Sequence, residues 1–412
     1  MAFVAAFFGV GPSWAGTAAG GLVGQVSKLI ARGEIGGGAL GDQVALSADG
    51  DTALVAGPAD DRGRGAVWVF VRRGASWVVQ AKLTGAEERG SGGFGTSVAL
   101  SADGDTALIG ARADDDLRGA VWVFRRRGAV WAQEGRKLTG GGEAGAAAFG
   151  YTVALSADGD TALIGGPDDR HVAVRGYNDG YGAVWFFRRV GTAWLQQGGK
   201  LTGRGDTANG DFGSSATISG DGRTALVGAF NVGNGDGAAW VFARTASGWR
   251  QEGGELTGRG ALGRNVGYGF GVALSASGDA ALVGGSADHY GIGAVWAYTR
   301  TGHNWRQQGR PFTVSGEHGH VGFGYSISLT PDGQTALIGG WPDNRDRGGA
   351  WVFTNTGTTW TQKGPKLTGS GETGPGRFGE ALALSANAHT ALIGAPLDSH
   401  ERGAAWIFDA RS

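Results

Sequence analysis

Apolar residues recur along this chain in short blocks with no polar parity. In Ala66-Val67-Trp68-Val69-Phe70 every position is apolar, and near-copies return around Trp122, Trp185, Trp240, Trp296, Trp351 and Trp406. A strand that is apolar at both parities is buried on both faces. The Trp-to-Trp steps are 54, 63, 55, 56, 55 and 55 residues, so one unit repeats with an insertion in the third copy. A fixed period of this length marks stacked supersecondary units that cannot bury their apolar faces alone.

Each unit reads the same way. An aromatic-Gly pair opens it: Phe94-Gly95, Phe149-Gly150, Phe212-Gly213, Tyr268-Gly269, Phe323-Gly324 and Phe378-Gly379, with Leu40-Gly41 as the degenerate first case. A strand of SVALS type follows, then an ADGD turn, then a TALIG strand. Asp-Gly between apolar runs, as at Asp103-Gly104 and Asp158-Gly159, predicts a tight hairpin. A polar loop leads to the Trp strand, and a short turn to a fourth, such as residues 77–83. Four-stranded sheets stacked face to face around an axis bury such strands and leave only short edges. The predicted fold is all-β, a seven-bladed β-propeller of four-stranded blades.

The seventh unit stops after its third strand. The segment Leu22–Leu29 matches a fourth-strand tail, Val26-Ser27-Lys28-Leu29 against Gln80-Ala81-Lys82-Leu83. It is predicted to pair into the last blade and close the ring. The domain is therefore expected at 22–412, preceded at 1–21 by a signal peptide or N-terminal tail. Residues 2–10 form an apolar run, and Pro12-Ser13-Trp14-Ala15 offers small residues for cleavage after Ala15, but no basic residue precedes the run. Export to the cell surface or medium is the expectation.

Composition narrows the picture. The 412 residues include 84 Gly and no Cys, which disfavours long helices and removes disulfides, Cys-ligated zinc and thiol nucleophiles. A formal charge of −1 gives no footprint for nucleic acid. No stretch is long enough for a membrane span. A monomer without cofactor is expected.

The arrangement of aromatic-Gly, then (I/V)GA(P) at residues 55–58, 109–111, 164–167 and 393–396, then GAVWVF, resembles the FG-GAP repeat of integrin α-chain propellers. It is especially similar to a bacterial subtype of exported repeat proteins. The resemblance covers about residues 22–408 and implies a propeller whose long-loop face binds partners. Integrin-type repeats often insert a D-x-D-x-D-G-x-x-D calcium loop; here that loop is Ala-Asp-Gly-Asp at 102–105. Calcium takes about six to eight oxygens, so the calcium sites are not carried over and no metal is expected.

In a repeat, what recurs is architecture and what breaks the pattern is a candidate site. The seven strand tryptophans and the outer Trp77, Trp131, Trp194, Trp249, Trp305 and Trp360 recur, as inter-blade packing. Asp-x-x-x-Arg-Gly also recurs (Asp60/Arg64, Asp114/Arg118, Asp343/Arg347, Asp398/Arg402). It reads as a ligand clamp or as a brace of the loop, and recurrence favours the brace. Strand direction puts the loops between second and third strands on the same face as those linking blades. On this long-loop face the insertion at 170–181 offers Arg175, Tyr177 and Tyr181, residue types common in recognition. Asp288-His289-Tyr290 and the pair His318 and His320 fall in neighbouring sectors, as a metal-type cluster or as solvated loop residues. Trp341, beside Asp343, either stacks on a sugar ring or fills a blade interface. Arg204-Gly205-Asp206 spells a tripeptide that integrins recognise, which the Gly- and Arg-rich composition produces by coincidence.

Gly-x-Ser-x-Gly, His-Glu-x-x-His and phosphate-loop motifs are absent. The expected function is non-enzymatic binding of a protein or glycan through the long-loop face. The alternatives are a carbohydrate-active lyase or hydrolase with its site at the axial mouth, and a purely structural module.

Overall fold

The computed structural model describes residues 22–169, 181–205, 210–317 and 319–410. Residues 1–21, expected to be a signal peptide or tail, and Arg175, Tyr177, His318 and Asp206 lie outside them. Seven four-stranded antiparallel sheets form the ring. Blade one runs Val44–Leu46, Thr52–Gly57, Ala66–Arg73 and Ser76–Leu83 in that spatial order. First strands of neighbouring blades touch around the centre.

The ring closes as the sequence predicts. Leu22–Leu29 pairs with Ala404–Ala410, placing Lys28 opposite Trp406 and Leu29 opposite Ala405. It is the outer strand of the last blade, beside Leu382–Leu384 and Thr390–Ala395.

The core is distributed between blades. Leu54, Val67 and Val69 of blade one pack on Ile109, Trp122 and Phe124 of blade two, with Phe94 between them. The opening aromatic meets the Trp of its own blade edge-on, Phe94 to Trp122 at 5.5 Å and Phe149 to Trp185 at 5.2 Å. The indole N–H donates to the loop that enters the blade, Trp122 to the Ala86 carbonyl at 2.7 Å. Removing one such indole should cost about 3–5 kcal/mol. In blade five the opener is Tyr268 and the third-strand Phe is Tyr298. Their hydroxyls bond to each other at 2.7 Å, so neither polar tip is buried alone. The outer tryptophans also join blades: Trp131 donates to Gln80 at 2.9 Å, and Trp249 stacks on Phe186 at 3.9 Å.

The Gly before each Trp strand has a steric cause. Gly119 has φ +82°, and a Cβ there would sit 2.1 Å from the Phe149 carbonyl oxygen of the next blade. That approach is the parallel bridge linking blade two to blade three on the long-loop face. On the other face, the ADGD turns hand N–H donors round the ring. Ala48 donates to Ala102 (2.9 Å), Ala102 to Ala157 (3.0 Å) and Ala386 back to Ala48 (2.9 Å). Pro331, an acceptor in this belt, has no N–H to pass on.

Candidate functional site

The long-loop face is built on a repeated brace. The loop between second and third strands is a four-residue turn, Asp60–Gly63 in blade one and Asp114–Leu117 in blade two. Its middle residues are left-handed: Asp61 at φ 47°, Asp115 at φ 50°. The same geometry returns in blades four to seven, so this strain belongs to the scaffold. The first Asp of the turn is buried. One Asp60 oxygen accepts the Ile35 N–H of the entering loop at 2.6 Å, and the other pairs with Lys82 at 2.6 Å. Asp114 pairs with Lys137 and Asp169 with Lys200. Asp398 takes its cation from the closing strand, Lys28 at 2.7 Å. These lysines also lie over the strand indoles, Lys82 at 4.8 Å from the Trp68 ring and Lys28 at 4.9 Å from Trp406. The recurrent Asp is therefore a brace, but its partner is the fourth-strand Lys. The Arg four residues on is exposed, and Arg64 comes no nearer to a carboxylate than 3.9 Å, to Asp61.

The structure places the residues singled out by sequence as follows. Asp343 is one of these braces, buried and paired with Lys366 at 2.6 Å. Asp288 is buried too, accepting from the Leu262 N–H and held by His289 Nδ1, each at 2.6 Å. Tyr290, in the left-handed turn, is 88% exposed. His320 is exposed, and its ring lies against Gly291, so the two histidine-bearing loops do meet. Among the described residues no three His, Cys, Asp or Glu side chains converge to hold a metal ion. Tyr181 is 40% exposed at the entry to the third strand of blade three. Trp341 is half-buried, edge-on to Tyr325 at 5.9 Å and covered by the Arg377 guanidinium at 4.2 Å.

The concave feature of this face lies on the axis. A cavity of about 760 Å³ is lined by residues of all seven blades. Its wall includes the residue that follows each opening Gly: Asp42, Thr96, Tyr151, Ser214, Phe270, Tyr325 and Glu380. Every copy points inward because register and hairpin are the same in every blade, yet the chemistry differs from blade to blade. Blades four to six supply a strip of rings, Phe230 to Phe270 at 4.8 Å and Phe270 to Tyr325 at 4.5 Å. Blades seven and one supply two carboxyls. Arg112, also in the lining, stacks over Tyr151 at 5.3 Å.

Burial sets the electrostatics. Desolvation lifts Asp42 to about 6 against the pull of Arg112 and Arg377. It lifts Glu380 to about 7, helped by the charge of Asp42 and opposed by Arg377, 3.8 Å away. Burial also pushes the Tyr151 and Tyr325 hydroxyls up. The basin thus pairs apolar rings with two carboxyls that titrate close to neutrality, an environment suited to a polyhydroxylated ligand or to acid–base work.

Sequence reasoning missed this ring of inward residues. The signal is a column just after the near-constant aromatic-Gly pair that changes chemistry from unit to unit. The family model of the FG-GAP repeat matches residues 77–124. That stretch runs from the fourth strand of blade one through the Trp strand of blade two. No curated protein matches the chain.

Proposed function

The chain is a seven-bladed propeller of FG-GAP repeats, and from that premise we propose that it is a non-enzymatic recognition module that binds a glycan through its long-loop face. FG-GAP propellers are binding-type modules and are generally extracellular. No helix among the described residues is long and apolar enough to cross a membrane. We place the protein outside the cytoplasm as a monomeric binder. The observation that carries the reading is the Phe230–Phe270–Tyr325 strip lining one concave space together with the carboxyls of Glu380 and Asp42. Rings packed for stability alone sit fully buried between blades, as Phe94 and Phe149 do.

The test is a glycan array read beside an assay for reducing ends and unsaturated products. Saturable binding without product is expected; no binding to any glycan would overturn the reading. One observation favours a second reading, a glycoside hydrolase or lyase: Asp42 and Glu380 are neighbouring carboxyls of raised pKa in one cavity. Sustained product release abolished by Glu380→Gln would establish it in place of the first.

A further inference from the structure

Three features stand apart from the repeat: the axial basin, the Asp288–His289–Tyr290 turn, and the exposed valines of the outer strands. The turn is accounted for as a brace with a substituted partner, and nothing shows what would cover the valines. The basin carries more.

Resting on the glycan reading, we propose that the axial basin seats one uncharged pyranose unit of the ligand, its C–H face against Phe270 and its hydroxyls taken by Glu380 and Asp42 of blades seven and one. Three observations lead there. The ring strip is continuous and only moderately tilted, 40° between Phe230 and Phe270 and 36° between Phe270 and Tyr325, which gives a broad apolar face. A pyranose offers a matching C–H face with a polar rim, the combination that suits an aromatic wall facing hydrogen-bonding groups.

The basin wall has unused polar capacity in two sectors. Glu380 Oε2 and Ser214 Oγ are buried and have no hydrogen-bond partner among the described residues. Both belong to the basin lining, and buried polar atoms are rarely left single. A carboxyl oxygen and a hydroxyl together can both accept and donate, as ligand hydroxyls require.

Charge then selects within the sugars. A uronate or sialate carboxylate would be brought beside Asp42 and Glu380. A cationic ligand would meet Arg112 and Arg377, which already cover the Tyr151 and Trp341 rings. The carboxyls of Asp42 and Glu380 and the hydroxyls of Tyr151 and Tyr325 sit against the guanidiniums of Arg112 and Arg377, so neither sign of ligand charge finds a net partner. An uncharged ring fits both sides.

The experiment titrates the folded protein with neutral oligosaccharides and with uronate-containing oligosaccharides of equal length. Neutral ligands should bind at least ~10-fold more tightly than uronates. Phe270→Ala should weaken neutral binding by ~10-fold or more, as for a central aromatic anchor. Phe270→Tyr, which keeps the ring and guards against a folding defect, should retain it. Glu380→Lys should raise uronate affinity at the expense of neutral ligands. Equal or tighter uronate binding by the unmodified protein would overturn the proposal. So would unchanged affinity in folded Phe270→Ala and Glu380→Lys; in that case the glycan sits elsewhere on the long-loop face and the wider reading survives. Failure of the unmodified protein to bind any glycan removes both.

Discussion

Blades two and four of this ring solve the same problem in opposite ways. Blade two holds its long loop with a buried ion pair, Asp114 to Lys137, set over Trp122. Blade four has Val232 at the Asp position, buried, and Glu255 at the Lys position. Both members have changed together. A buried Asp facing Glu would be an uncompensated like-charge pair, and a Lys facing Val would be a cation without a partner, so each half excludes the other without its mate. Blade five shows the intermediate case. Its Asp288 remains, Pro311 stands where the Lys would be, and the neighbouring His289 takes the free oxygen at 2.6 Å. The brace is thus a two-residue unit, and the two blades that have given up its lysine carry Phe230 and Phe270 on the axial basin.

The largest effect should come from breaking the unit. Asp114→Ala leaves Lys137 without its carboxylate in a mostly buried site and should cost about 3–5 kcal/mol in chemical denaturation. A loss under about 1 kcal/mol would mean that the pair is a surface ornament. Next comes the reconstruction. Val232→Asp alone should destabilise blade four by a few kcal/mol, while Val232→Asp with Glu255→Lys should recover most of the loss, on the order of 1–3 kcal/mol of coupling. Additivity of the two changes would break the idea that they form one unit.

The smallest effect concerns pH and the opposite side of the ring. Glu380 is held up at about 7 from an ordinary 4.5, and Asp42 at about 6 from 3.8. The fold therefore keeps protons that the unfolded chain has released. Their contribution to stability is full below the unfolded values and is lost as pH rises through about 6 to 7. Burial lifts Glu88 and Glu372 to about 7 as well, in the same direction. The melting temperature should fall between pH 5 and pH 8, and Glu380→Gln should shrink that fall; an equal fall in the variant would show that Glu380 titrates as it does when unfolded.

The sequence made some of this visible and hid the rest for physical reasons. Blade number, the aromatic-Gly opener and the closing strand were legible because each is a local pattern repeated in register. Lys28-Leu29 could be matched to Lys82-Leu83 by eye, and the pairing of Lys28 opposite Trp406 follows. The brace was half legible. Asp60 was seen to recur, but its partner was sought four residues away in Arg64, whereas the fold brings Lys82 from the end of the fourth strand. The basin was hidden because Asp42, Phe270 and Glu380 are far apart along the chain and share only a position within the unit. Trp341 drew attention as a lone irregularity, yet its place is set by Tyr325 and Arg377, which no local pattern connects to it.

The closing strand has a consequence for biogenesis. Among the described strands Leu22–Leu29 leaves the ribosome before the others, whereas its hydrogen-bonding partner, Ala404–Ala410, follows them all. The last blade's sheet, to which the Lys28 partner of Asp398 belongs, cannot assemble until Ala404–Ala410 has been made. Six sectors can stack as they emerge, while the earliest segment waits with an unsatisfied backbone edge. Nascent chains stalled short of residue 404 should therefore be held open and depend on a chaperone, whatever the quality of the sectors already made.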